Sequence, residues 1–172
     1  MPPERTFTDD QMKAAMARIF LALDTTDAVK IQRLGELLRD RVGGFKVGGI
    51  PILAQLVACC DAAFLPTQCL GVRRSSVRML DPKIAETTNT TIEMCKLAAQ
   101  GGYDIVTVYA EVGEETMRLA QEAAYAINPN TQLAAIGVLT SHRVDTLATV
   151  GTKVASIKAL MLERIGAAWR AG

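Results

Sequence analysis

The segment Asp81-Pro82-Lys83-Ile84-Ala85-Glu86 places an acid, a base and a second acid close together in the chain. An apolar-rich run, Val77–Leu80, leads into this segment, and a helical pattern follows from about Thr88. Since residues i and i+2 of a strand face the same side, we expect Asp81 and Lys83 to project together. A carboxylate beside an ammonium group can disfavour a bound anion and stabilise a carbanion that develops nearby. The alternative is a local ion pair that orients a loop.

Polar residues also lie at the carboxyl ends of the other four predicted strands. They are Asp24, Lys46, Tyr109 with Glu111, and Thr140 with Ser141. In a barrel of parallel strands, side chains at the carboxyl ends converge on one mouth, where catalysis takes place. In an open sheet, only those beside the reversal of strand order converge. Loops are polar in any case, but polar residues after five otherwise apolar segments favour a functional site.

Five repeats of strand and helix position these residues. The predicted strands are Ile19–Leu23, Phe45–Val47, Val77–Leu80, Ile105–Tyr109 and Leu133–Leu139. The predicted helices are a short one capped by Thr8-Asp9-Asp10-Gln11, one capped by Asp27, Pro51 to about Ala63, Ile92–Gln100, Glu114–Ala126, and a helical region from about Asp145 to Trp169 for which an interruption at Gly151 is considered. We therefore predict one α/β domain with a parallel sheet, in which residues 1–17 hold the N-terminal helix and residues 18–172 the five units.

Two parallel architectures are compatible with this alternation. An open, doubly wound sheet is complete with five strands. A TIM barrel has eight strand–helix units, so this chain would supply five of them.

The composition excludes several classes of function. The chain has 172 residues, of which 49% are apolar, and a net charge of +1, which gives no reason to expect nucleic acid or a membrane as partner. The N-terminus is polar and contains acids, so we expect no signal peptide and a cytoplasmic protein. The four cysteines lack a paired metal spacing and are predicted to be buried free thiols. Glycine templates for dinucleotides and nucleoside triphosphates are absent from the sequence.

Five segments of the chain coincide with the motifs of a known family. They are IFLALDTTD, GFKVGGIPIL, LDPKIAETTNTT, YDIVTVYAEVG and AAIGVLTS. They follow one another in the family's order and spacing over essentially the whole chain, and the third is the most specific. On these segments the chain resembles the orotidine 5′-monophosphate decarboxylase family. The resemblance implies a TIM-barrel type of parallel α/β sheet, here truncated to about five strand–helix units.

The resemblance also implies an activity and its catalytic residues. The family is homodimeric and converts orotidine 5′-monophosphate to uridine 5′-monophosphate without a metal or an organic cofactor. Lys46 is then expected to anchor the ribose and the charge network, Asp81 to lie beside the substrate carboxylate, and Lys83 to deliver a proton to C6. Glu86 stands in place of the family's second aspartate, which reaches into the partner's site.

Three further positions correspond to substrate-binding residues of the family. Asp24 is expected to bind ribose hydroxyls, Thr90 to contact ribose from the partner subunit, and Ser141 to meet the pyrimidine ring.

The sequence departs from the family pattern at several positions. Glu86 is one methylene longer than aspartate, and Pro82 is unusual within a central strand. Thr88 replaces a common proline, and Tyr109 replaces a common histidine. Family members continue with three more strand–helix units that carry the loops clamping the phosphate, whereas this sequence stops at Gly172.

Three functions remain open from the sequence. The first is a decarboxylase that another chain or a homo-oligomer completes. The second is a catalytically impaired relative that binds nucleotides or serves as a regulatory or interaction protein. The third is a sugar-phosphate lyase of the same superfamily, although such enzymes usually carry an acid where Lys46 stands.

Overall fold

The structure is a computed structural model that describes residues 7–49, 77–149 and 155–172. The predicted helix from Pro51 to Ala63 lies outside these residues, as do Cys59, Cys60 and Cys69. The chain divides into two compact units, residues 1–81 and 82–172, with the boundary inside the third strand. The prediction of one domain stays a prediction.

The first unit contains two helices and the first strands. Its elements are α1 (Asp9–Met16), β1 (Phe20–Ala22), α2 (Ala28–Leu38), β2 (Gly44–Gly48) and the first part of β3 (Val77–Ile84). Both predicted helix starts are confirmed. Thr8 Oγ1 accepts from the Gln11 N–H at 3.3 Å while Gln11 Oε1 accepts from the Thr8 N–H at 3.0 Å, which is a capping box. Asp27 Oδ1 accepts from the Lys30 N–H at 3.0 Å and caps α2.

The strands of the first unit have an apolar face and a polar face. β1 pairs with β2 and β2 with β3, both in parallel. Phe45 and Val47 of β2 are buried in one cluster with Leu23 and with Ile31 of α2. Because side chains alternate along a strand, Lys46 lies on the opposite face from Phe45 and Val47. The helix therefore covers the apolar face and leaves the other face to the charged residues.

The second unit is built from two strands, the end of β3 and the remaining helices. Its further elements are α3 (Thr88–Gln100), β4 (Ile105–Tyr109), a 3₁₀ turn (Ala110–Val112), α4 (Glu114–Ile127), β5 (Gln132–Ile136), α5 (Val144–Thr149) and α6 (Ile157–Ala171). The predicted bounds of β4 are confirmed. The helical region predicted from Asp145 to Trp169 consists of two helices, and the interruption considered at Gly151 falls outside the described residues. Ser156 Oγ accepts from the Ala159 N–H at 3.1 Å and starts α6.

Helices α3 and α4 pack against each other, and both bury small residues. The buried positions of α3 include Ala98 and Ala99, and those of α4 include Ala120 and Ala124. Gln121 of α4 fixes the start of β5, because its side chain donates to the Thr131 carbonyl at 3.0 Å and accepts from an N–H of β5 at 2.8 Å. These contacts connect the helix layer to the strands of this unit.

Helix α6 is attached near the carboxyl ends of β4 and β5. Arg164 donates to the carbonyl of Gly137, directly after β5, and to Glu111 Oε2 at 2.8 Å, directly after β4. Arg170 pairs with Glu114 at the start of α4, also at 2.8 Å. The Arg164 side chain is largely buried, so its pair has more effect on stability than the exposed one.

The order of the strands separates the two architectures that the sequence left open. The hydrogen-bonded order is β1-β2-β3-β4-β5, and the ladder β4–β5 is parallel like those of the first unit. A doubly wound sheet contains a reversal of strand order. The five described strands contain none, so they form the sheet of an α/β barrel rather than an open sheet.

Cys95 of α3 is a buried thiol with no exposed surface. Burial raises the pKa of this thiol to about 12, because the apolar surroundings disfavour the thiolate. The prediction of a buried free thiol is thus confirmed for Cys95.

We expect Cys95 to resist alkylation in the folded protein at pH 8, since the reactive thiolate is both rare and inaccessible. Iodoacetamide labelling followed by peptide mass spectrometry reads this cysteine separately from the other three. The same protein, unfolded in about 6–8 M urea, serves as the reactive control. Equal labelling of Cys95 with and without urea would contradict the prediction.

Candidate active site

Lys46 lies between two carboxylates in the first unit. Its ammonium nitrogen is 3.0 Å from Asp81 Oδ2 and 3.6 Å from Asp24 Oδ2. The Asp81 side chain is only 7% exposed, whereas that of Asp24 is 47% exposed. The structure therefore brings together three of the predicted site residues, one from each of three adjacent strands or the loop that follows.

The buried carboxylate and the lysine stabilise each other's charge. The hydrogen bond from Lys46 to Asp81 raises the pKa of Lys46, burial opposes the change, and the charges of Asp81 and Asp24 add to it. Lys46 is thus cationic at neutral pH. A buried carboxylate is costly unless it is paired, and Lys46 gives Asp81 a cationic partner.

Gly48 makes room for this cluster. It pairs in register with Asp81 on β3, and a Cβ built on Gly48 would lie 2.6 Å from Asp24 Oδ1. Strand alternation places Gly48 on the same face as Lys46, so the missing side chain leaves space into which Asp24 reaches. Gly48 lies just after the predicted strand Phe45–Val47, so the sequence pattern did not reveal this role; a glycine beside the strand is the available signal.

We expect Gly48→Ala to displace the Asp24 carboxylate and to break its contact with Lys46. The added methyl group occupies space that Asp24 Oδ1 now takes. Because Asp24 is half exposed, it can turn to water at a cost of about 1 kcal/mol or less. Crystal structures of this variant and of Gly49→Ala provide the measurement.

Gly49→Ala is the matched control, because a Cβ at Gly49 meets nothing within 4 Å. An Asp24–Lys46 distance that stays near 3.6 Å in the Gly48→Ala structure would show that Gly48 is not needed for the cluster.

Two predicted strand bounds are wrong around these residues. Lys46 was expected at the end of a strand over Phe45–Val47, but β2 runs from Gly44 to Gly48 and Lys46 is its central residue. β3 likewise extends beyond Leu80 to Ile84, so Asp81 and Lys83 belong to the strand. The predicted strands end at Val47 and Leu80, but parallel ladder pairing continues as far as Gly48 and Asp81.

Lys83 has an unusual backbone conformation. Its φ is +52°, and it is the only residue other than glycine with a positive φ in the described part of the chain. This left-handed conformation costs roughly 1–2 kcal/mol for a residue with a Cβ, and such strain is concentrated at functional sites. The premise that residues i and i+2 face the same side requires an extended backbone, so it does not apply at Lys83.

The backbone N–H of Lys83 donates to Thr107 Oγ1 on β4 at 3.0 Å. Thr107 has no exposed surface. The sequence analysis passed over Thr107 because one hydroxyl in an apolar strand is not a distinctive pattern.

The other predicted site residues are exposed in the second unit. Glu86 lies between β3 and α3, where its carbonyl accepts from Thr91 Oγ1 at 3.2 Å. Thr90 lies in the first turn of α3, with its Oγ1 3.1 Å from Thr87 Oγ1. Ser141 lies in the turn after β5. The roles predicted for these three residues stay predictions.

The described ranges, 7–49, 77–149 and 155–172, contain no group of three or more histidine, cysteine or acidic side chains arranged to hold a metal ion. They also contain no helix long and apolar enough to cross a membrane.

Comparison with known proteins supplies the family context. An orotidine 5′-phosphate decarboxylase from Pelobacter propionicus is 32% identical over 140 residues, which are 80% of this chain and 55% of that protein. The predicted resemblance to orotidine 5′-phosphate decarboxylases is confirmed. The chain spans a little over half the length of this decarboxylase. No protein-family model matches the chain.

Solved decarboxylases share the fold. The crystal structure of orotidine 5′-phosphate decarboxylase from Lactobacillus acidophilus has a TM-score of 0.75 and 21% identity, over 90% of this chain and 68% of that one. Orotidine 5′-monophosphate decarboxylase from Methanocaldococcus jannaschii in complex with the inhibitor BMP has a TM-score of 0.63 and 19% identity, over 88% and 64% of the two chains. The fold is thus the parallel α/β barrel type of these decarboxylases, over about two thirds of their length.

Proposed function

We propose that this protein decarboxylates orotidine 5′-monophosphate to uridine 5′-monophosphate, without a metal or an organic cofactor. The observation that carries the proposal is the cluster in which Lys46 bridges Asp24 and the buried Asp81. The decarboxylase relatives described above support it. The relatives compared above are decarboxylases by name, and none of them is a sugar-phosphate lyase.

The proposed reaction uses electrostatics at the carboxyl group that leaves. Asp81, held ionised by Lys46, faces the substrate carboxylate and makes the bound anion less favourable. The bond from C6 to the carboxyl carbon breaks, carbon dioxide departs, and the electron pair stays on C6. Lys83 stabilises that carbanion and transfers one proton from its ammonium group to C6. Water then returns a proton to Lys83.

The remaining residues bind the nucleotide in this proposal. Asp24 is half exposed and can offer its free carboxylate oxygen to ribose hydroxyls. Ser141 is exposed after β5, as a residue that meets the pyrimidine ring must be. Glu86 and Thr90 are exposed beside the start of α3, and we assign them to the site of a second copy in a homodimer.

A partner segment is also part of the proposal. Among the described strands β5 pairs with β4 alone, and α6 exposes Leu162, Ile165 and Trp169. A groove of about 290 Å³ adjoins this edge. It is lined by Ala135, Gly137, Arg164, Ile165, Ala168 and Trp169. An apolar strand–helix segment, from a second polypeptide or another copy, fits such a surface, because a parallel strand satisfies the edge and its helix covers α6.

The decisive experiment is the loss of orotidylate absorbance on addition of the purified protein. Turnover supports the proposal. Native mass spectrometry identifies the oligomeric state of the same sample. If the protein is folded in that state and shows no turnover, the proposal is overturned. Calorimetry with uridylate and its 6-hydroxy analogue then separates a nucleotide-binding relative, which binds them, from a protein without a nucleotide site. The prediction of a cytoplasmic location stays a prediction.

A further inference from the structure

We propose that Thr107 is a positioning residue that sets the backbone of Lys83. This inference rests on the proposed function, because it matters for catalysis only if Lys83 delivers the proton. The observation behind it is the hydrogen bond from the Lys83 N–H to Thr107 Oγ1 at 3.0 Å. Both residues belong to the second unit.

The need for such a contact follows from the conformation of Lys83. A residue in an extended strand directs its N–H toward a backbone carbonyl of the neighbouring strand. At a φ of +52° Lys83 leaves the extended conformation of the strand, and an N–H that is shielded from water without an acceptor is strongly disfavoured. The Thr107 hydroxyl on β4 accepts from this N–H, whereas in a regular ladder the acceptor is a backbone carbonyl.

Thr107 is suited to hold this position rigidly. It is the central residue of β4, in register with Ala134 of β5, and no part of it is exposed. Val106 and Val108 on either side are equally buried, so the strand is packed on both faces. A β-branched side chain has few rotamers, and its hydroxyl cannot turn to water here. The location of the Lys83 Cα, from which the lysine side chain extends, therefore depends on a fixed point in β4.

The matched variants are Thr107→Val, which replaces the hydroxyl with a methyl group of similar volume, and Thr107→Ser, which keeps the hydroxyl. In the orotidylate assay we expect Thr107→Val to lower kcat on the order of a hundredfold, the cost of a misplacement of about 1 Å. KM should change little. Thr107→Ser should recover most of the lost kcat. A purely structural role predicts parallel losses of stability and activity with no such split.

A second readout does not depend on activity. In ¹H–¹⁵N NMR spectra the Lys83 amide should exchange with solvent slowly in wild type and in Thr107→Ser, and at least tenfold faster in Thr107→Val. Rapid exchange of the Lys83 amide in the wild-type protein overturns the inference, even if Thr107→Val fails to fold. The inference is also overturned if Thr107→Val folds and both its kcat and the exchange rate of its Lys83 amide equal those of wild type. A wild type without turnover but with a protected Lys83 amide refutes the proposed function and leaves the positioning contact intact.

Discussion

Lys83→Ala is expected to lower the rate of orotidylate decarboxylation by a factor of about 10²–10⁴, the usual contribution of a positioned proton donor. The ammonium group is lost both as a donor and as the charge that stabilises the carbanion. Uridylate affinity should change much less, because the donor acts mainly in the transition state. Steady-state kinetics and calorimetry with uridylate provide the two measurements.

The control for Lys83→Ala is Lys96→Ala. Lys96 lies on the exposed surface of α3, paired with Glu93 at 2.9 Å, and its removal should leave turnover within a factor of two of wild type (about 0.4 kcal/mol). A Lys83→Ala variant that is as active as wild type would remove Lys83 from the mechanism. A comparable loss in both would indicate a general effect on folding.

Lys46→Met is expected to destabilise the protein by about 2–3 kcal/mol. It removes the Lys46 cation from the Asp81 carboxylate, which is 7% exposed, and breaking a fully buried pair costs about 3–5 kcal/mol. The expected value is lower because the Lys46 side chain is itself 24% exposed. Urea unfolding gives the change in free energy of unfolding.

Two variants test whether the loss of stability in Lys46→Met comes from the Asp81 carboxylate that no longer has Lys46 beside it. Lys96→Met removes an ion pair of similar length from an exposed site and should cost less than about 1 kcal/mol. The double variant Lys46→Met with Asp81→Asn removes both charges and should be more stable than Lys46→Met alone. The explanation fails if Lys46→Met costs no more than Lys96→Met.

The same pair gives stability a dependence on high pH. The pKa of Lys46 is raised in the folded protein by the hydrogen bond to Asp81, above about 10.4 in the unfolded chain. Its stabilising contribution is therefore complete below about pH 10.4 and disappears as the pH rises through the folded pKa. The stability difference between wild type and Lys46→Met should be constant from about pH 7 to 9 and shrink above about pH 10.4.

The sequence was sufficient for the order of elements and for the partners of Lys46. β4 was found to the residue because its run of apolar and β-branched residues ends at clear turn signals. Asp24, Lys46 and Asp81 come together because each lies on, or just after, a parallel strand of the same ladder. This arrangement depends only on the alternation of strand and helix, which the sequence contains.

The sequence could not supply the local backbone at Lys83. Its positive φ runs against the intrinsic preference of lysine, so no pattern of residue types predicts it. The role of Thr107 depends on that conformation and was hidden for the same reason. Gly48 lies just outside the predicted strand Phe45–Val47, and its role depends on the Asp24 carboxylate 2.6 Å from where its Cβ would be, a contact distant in sequence.

The buried alanines of α3 and α4 restrict how that part of the molecule can evolve. Ala98, Ala99, Ala120 and Ala124 are all nearly or fully inaccessible, so a larger residue at any one of them must displace its neighbours at a cost of about 1–3 kcal/mol. Compensation requires a second change among the residues packed against it. Descendants of this sequence should therefore keep these four positions small or change them together with their neighbours, while the solvent-facing side of both helices drifts freely.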